Sequence, residues 1–264
     1  MTAGFHKVLL AISVLAILAS GATAFAQDKE KRERKSDPKV INGVDPNVFV
    51  TRTDLKNIYD HGPNGARVNT TIIRGDYIIN RVFKFRLDVP FVYVDEPGSA
   101  SEYGLGDLEL RLGGLLAETD YMRVSIGMDF GFDTATAQIL GSGKYTLRPL
   151  FATSFYPTDW FTIVTPFVKY KRSYAGDETR ADINELEIET DFQFDLPASW
   201  WTELQSKVQV NFTDNNSARW LLEAELGKMI TKHIGIWIHP ATCPAGARPF
   251  DFSIETGIRY LIKL

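Results

Sequence analysis

The stretch NELEIETDFQFD, residues 184–195, sets carboxylates at Glu185, Glu187, Glu189, Asp191 and Asp195, with Leu186, Ile188, Phe192 and Phe194 between them. Acids in such density could hold a hard cation or line water. Calcium needs oxygens converging on one ion, and extended spacing sets same-face side chains about 7 Å apart, which disfavours convergence. What the alternation does dictate is a strand with one acidic wall and one oily wall. In a soluble sandwich the oily wall is core; in a transmembrane barrel it meets lipid and the acids line an aqueous interior.

Other residues with chemical potential give less. GSGK, residues 141–144, lacks both the earlier glycine of a phosphate loop, position 138 being Gln138, and its Ser or Thr after the lysine, which is Tyr145. It reads as a tight turn. His61, His233 and His239 show no metal-ligand spacing, and only His239 falls near the rim where a lipid hydrolase would keep a Ser/His site. Neither metal nor cofactor is expected. Cys243, the single cysteine, lies in PATCPAGARP, a loop by composition, and cannot form an internal disulfide.

The chain opens with His6 and Lys7, an apolar run from Val8 to Ala19 and an Ala24-Phe25-Ala26 cleavage-like triplet. That run is shorter than the about 20 residues a membrane helix needs, so residues 1–26 read as a cleaved signal peptide. Residues 27–45, with eight consecutive charged residues from Asp28 to Lys35, read as a disordered periplasmic leader. Without Lys7 the chain carries 28 basic against 33 acidic residues. A net negative charge of this size gives no footing for nucleic acid.

Residues 46–264 must therefore position the acidic strand. Period-2 alternation marks twelve candidate strands, near 51–60, 67–80, 81–95, 104–118, 121–135, 145–158, 161–176, 183–197, 201–214, 219–231, 233–243 and 251–264. After HGPNGA, the connections run short at Asn80-Arg81, long at DEPGSASEY, short at ETD, long at TATAQILGSGK, short at PTDW, long at GDETRAD, short at PASW, medium at NNSA, short at TKH and long at PATCPAGARP. Such sorting has a physical reason in an outer-membrane barrel, whose tight turns face the periplasm and whose loops face outside. The expected fold is all-β, a transmembrane antiparallel up-and-down barrel of about 12 strands.

Parity then assigns the walls. Phe83, Phe85, Leu87, Val89, Phe91 and Tyr93 suit lipid, while the lumen and its selectivity fall to Lys84, Arg86, Asp107, Glu109, Arg111, Arg148, Lys169, Lys171, Glu185, Glu187, Glu189, Asp191 and Lys207. A hairpin centred near Glu178 pairs Lys171 with Glu185 and Lys169 with Glu187; the next strand brings Lys207, and Arg86, Arg111 and Arg148 reach across the lumen. Trp200-Trp201, Phe155-Tyr156, Trp160-Phe161 and Tyr260 are expected in interfacial girdles. Pro90, Pro149 and Pro166 interrupt strands and are expected at bulges or pairing gaps.

Taken in order, TRTDL (51–55), RLDVPFVYVD (86–95), YGLGDLELRLGG (103–114), GSGKYTLRP (141–149) and AGDETRADIN (175–184) are spaced along the mature chain and carry a resemblance that extends over most of it. In these segments it resembles the outer-membrane barrels named for the meta-pathway of phenol degradation. The resemblance implies a Gram-negative, porin-like transporter of small solutes, hydrophobic or aromatic compounds among them. Its partners would be outer-membrane lipid, the solute and the barrel-assembly machinery; oligomeric state is left open. The other readings are an outer-membrane lipid-modifying hydrolase and a soluble periplasmic β-sandwich binding protein. The chain departs from the common terminal Phe of such barrels by ending in Leu264.

Overall fold

The structure is a computed structural model describing residues 42–80, 82–156 and 163–263. The signal peptide, the leader up to residue 41, the PTDW turn with Trp160-Phe161, and the last residue lie outside the described residues.

Among the described residues thirteen strands form one antiparallel sheet: β1 (Thr51–His61), β2 (Arg67–Ile78), β3 (Phe83–Asp95), β4 (Glu102–Leu105), β5 (Leu108–Glu118), β6 (Met122–Phe132), β7 (Lys144–Phe155), β8 (Ile163–Gly176), β9 (Asn184–Leu196), β10 (Trp200–Asn211), β11 (Ser217–Met229), β12 (Ile234–Gly246) and β13 (Phe252–Lys263). Apart from β4, which pairs with β3 and leaves β5 to join β3 to β6, each pairs with its neighbours in sequence, and β1 pairs with β13, so the sheet closes on itself. Closure removes both edges, which is what lets strands cross a medium that offers backbone groups no hydrogen bonds.

β4 and β5 are two pieces of one stave, giving a twelve-staved barrel in place of the single expected strand 104–118. Both pair with β3, and the break at Gly106-Asp107 falls beside Pro90, whose carbonyl accepts the Gly106 N–H at 2.9 Å. Pro149 and Pro166 also sit where pairing lapses. The β7–β8 ladder is paired at Leu147↔Arg172 and Leu150↔Lys169 but not between, and again skips the positions between Ala152↔Phe167 and Phe155↔Val164. Residues without an N–H are thus placed where no ladder bond is made.

The outer wall is apolar. Leu55, Ile73, Phe83, Leu87, Leu112, Ile126, Leu204, Ile236, Ile258 and Ile262 are exposed, while charged residues such as Arg52, Asp54, Asp76, Arg86, Asp129, Glu189 and Arg259 are buried. This inverts the soluble pattern and removes the β-sandwich reading. The principal buried apolar cluster, Val50, Trp201, Met229, Trp237 and Leu261, lies inside the ring. Strand Gly residues make room for it: a Cβ on Gly227 would lie 2.0 Å from the Trp201 ring, and one on Gly257 2.1 Å from the Trp237 ring.

Two sequence readings need correction here. Trp201 and Tyr156 are not girdle residues; Trp201 is buried inside the ring, and Tyr156 reaches inward to Asp45. Cys243 is not in a loop, because β12 continues to Gly246 and buries it. The alternation of β12 survives Pro240 and Pro244, and composition alone hid that.

Candidate functional site

The interior is a lattice of ion pairs organised by register. On one side, β8 and β9 pair Lys171↔Glu185, Lys169↔Glu187 and Phe167↔Glu189. Lys169 Nζ lies 2.7 Å from Glu187 Oε1 and 2.8 Å from Glu189 Oε2. Lys171 and Glu185 face each other without an ion pair. β10 then places Lys207 opposite Glu189, 3.6 Å from its Oε2, and Lys207 also donates to Glu223 Oε1 at 2.8 Å. Glu223 and Glu225 hold the His239 ring at 2.9 and 3.3 Å, and Trp201 Nε1 donates to Glu225 at 2.6 Å. A continuous chain of partners therefore crosses five staves.

The facing arc, β1 to β7, is richer in arginine. Arg86 makes two hydrogen bonds to Asp76, at 2.7 and 3.0 Å, and Arg52 binds Asp76 at 2.7 Å. Arg111 and Arg148 share Asp129, and Arg148 also reaches Glu109 at 2.7 Å. These arginines do not cross the lumen to the acidic strand, contrary to the expectation from sequence. A carboxylate two strands away at most captures each fork first, since short charge-assisted pairs are the strong ones.

Lys84 takes a different partner. Its Nζ donates to the Pro46 carbonyl at 2.6 Å and lies 4.4 Å from the centre of the Phe49 ring. Residues 42–50 run inside the barrel at the end where the short connections lie. Asp45 accepts from Ser154 Oγ at 2.8 Å and from the Tyr156 hydroxyl at 2.7 Å; Asn47 donates to Ser154 Oγ at 2.7 Å and accepts from Ser125. Arg259 donates to the Asn42 carbonyl at 2.8 Å, and Arg52 to that of Gly43. Val44 and Val48 pack on the Trp201/Trp237 cluster, which Val50 joins. The segment thus touches staves on opposite sides of the ring and obstructs this end of the lumen. Asn42 and Asp45 are buried with the barrel.

At the other end two glycine motifs clasp each other. Asp107 is not on the lumen wall but in the β4–β5 break. Its Oδ2 accepts from Ser142 N and Oγ at 2.6 and 2.7 Å, and its Oδ1 from the N–H groups of Thr134 and Ala135. Gly104 and Gly106 leave space that Thr136, Leu140 and Val92 fill, a Cβ on Gly104 meeting Thr136 Oγ1 at 2.0 Å. Gly143 turns the chain with a φ of +68° before Lys144 enters β7. The loop 133–143 therefore folds onto the inner face of β3 and β4. Arg180 Nη atoms donate to the Gln138 and Gly141 carbonyls, both at 2.9 Å, and Lys144 reaches Asp182 at 2.8 Å. That hydrogen bond from Lys144 holds the Asp182 carboxyl below its usual range.

His239, read from sequence as a rim residue, sits among interior glutamates. Sequence reasoning also missed Asp45, Asn47, Ser125 and Ser154, polar residues whose only signal was that Ser125 and Ser154 fall on inward parity. Among the described residues no group of three or more His, Cys, Asp or Glu side chains is arranged to hold a metal.

Neither a protein-family model nor a curated protein matches the sequence. Solved structures do match the fold. An outer-membrane channel of the COG4313 group from Pseudomonas putida F1 superposes with a TM-score of 0.65 at 11% identity, over 88% of this chain and 99% of that one. The NanC porin gives 0.60 at 12% identity over 80% and 100%, and the KdgM porin 0.56 at 8% over 80% and 99%. The chain thus shares their fold, a closed antiparallel β-barrel of twelve staves.

Proposed function

We propose that this chain is an outer-membrane channel through which small solutes pass passively. The carrying observation is an apolar outer wall around a charged interior within a closed barrel. The export signal, delivery by the barrel-assembly machinery and contact with outer-membrane lipid belong to the same reading. The resemblance to the phenol-pathway barrels suggests aromatic cargo, but an interior made of Arg, Lys, Asp and Glu side chains favours polar or charged solutes. Twelve staves leave a narrow lumen, and these long side chains narrow it further. Selectivity is assigned to the lattice, with Lys169, Lys171, Glu185, Glu187, Glu189, Asp191 and Lys207 on one arc and Lys84, Arg86, Glu109, Arg111 and Arg148 on the other. The hydrolase reading loses its candidate base, since the two ring nitrogens of His239 face glutamates.

Liposome swelling separates the solute classes. Liposomes carrying the mature protein should admit small amino acids faster than neutral aromatics of similar mass. Equal rates, or faster entry of the aromatics, would refute the assignment to polar solutes.

A further inference from the structure

Asp191 is 6% exposed, and its Oδ1 is buried without a hydrogen-bond partner. One same-face position along, Glu203 is 5% exposed and stands directly opposite Glu225 in the β10–β11 ladder. Asp191 faces Gln205 and Glu203 faces Gln193, so Asp191 and Glu203 are diagonal neighbours on the interior face. Among the described residues no cation lies within ion-pair distance of either. Lys169 and Lys207 are held by Glu187, Glu189 and Glu223, and His239 is shared between Glu223 and Glu225. Burying carboxylates without a countercharge is costly, and the equally buried Glu189 and Glu225 each have a basic partner. A solute that carries positive charge would supply what the protein withholds.

The dimensions limit what that solute is. The carboxylates do not converge as metal ligands do, and diagonal neighbours stand several ångströms apart. A planar guanidinium or a primary ammonium, with several N–H donors directed outward, spans such a gap. Trp201 lies two residues before Glu203 on the same face, with its indole tied to Glu225 and its ring buried in the apolar cluster, so the carboxylates stand directly above that cluster. The packed cluster under residues 42–50 includes Trp201, so this place is where an inward-moving solute would be halted.

We propose that Asp191 and Glu203, with Glu225 beside them, form a binding station for a guanidinium- or ammonium-bearing solute inside the barrel. It deepens the channel reading by naming a solute class, and it rests on that reading only for the solute's access to the lumen. Methylguanidinium is the probe, titrated calorimetrically into the purified mature protein in detergent micelles, with and without Asn47→Ala to loosen the obstructing segment. Saturable binding is expected, weakened at least tenfold by Asp191→Asn and by Glu203→Gln and unchanged by Glu118→Gln, an exposed acid near a short turn. Heat-modifiable gel migration verifies that each variant is folded. Absence of saturable binding in both backgrounds, equal binding by the folded Asp191→Asn and Glu203→Gln variants, or equal binding of uncharged methylurea would overturn the proposal. Because binding is read without transport, a protein that binds the probe but conducts nothing would refute the channel and leave the station standing.

Discussion

Lys169 is the residue on which the acidic arc depends most. It neutralises Glu187 and Glu189 together, both at under 3 Å, whereas Lys207 stands 3.6 Å from Glu189. Lys169→Met should leave those carboxylates uncompensated and cost about 3 kcal/mol, the order found when one partner of a buried pair is removed. The check is chemical unfolding in detergent, alongside a shift of ion selectivity toward cations. Conversely, Glu187→Lys with Glu189→Lys should turn selectivity toward anions in a barrel that still assembles; a reversal potential unmoved by the double change would contradict the assignment of these acids to the permeation path. The Lys169–Glu187 register was legible in the sequence because a hairpin with one midpoint fixes every cross-strand pair. The arginine partners were not legible, because a long fork can choose among acids on either adjacent stave and parity says nothing about which.

At the level of elements, strands and their faces were readable from alternation, but what fills the barrel was not. Residues 42–50 have no periodicity, so their placement depends on latches formed by single polar atoms of Ser125, Ser154 and Tyr156. Likewise the GLGD and GSGK motifs looked like separate turns, though Asp107 joins them through Ser142. The glycines that admit Trp201 and Trp237 show why small residues recur on inward positions. Gly227→Ala should drive the Trp201 ring from its seat and destabilise the protein by about 1–3 kcal/mol, as overpacking does, and Trp201→Leu in the same chain should restore part of the loss in thermal unfolding. The clasp between Lys144 and Asp182 should depend on acid. A carboxyl held below its usual range stabilises the contact above that range and loses it as pH falls through the folded value, so limited proteolysis of the loop at 177–183 should quicken on acidification below about pH 4. An Asp182→Asn variant should show no such change.

On the scale of the whole molecule, the sorting of connections pointed to the architecture: tight turns at one end and longer loops at the other mark an up-and-down barrel, and the pairing of β1 with β13 closes it. Orientation follows from the same asymmetry. An epitope inserted near Asp177 should be accessible on intact cells and one at Ala198 should not, the opposite labelling being incompatible with the proposed orientation. Closure at the short-turn end was invisible to such reasoning, because it comes from a chain segment outside the repeating pattern. We take the barrel to be a channel whose lumen residues 42–50 obstruct. Planar-bilayer conductance of the mature protein against its Asp45→Ala/Asn47→Ala variant tests that claim most directly. Small, intermittent currents are predicted for the first and severalfold larger, steadier ones for the second; indistinguishable currents, or no ion passage through either folded protein, would contradict it.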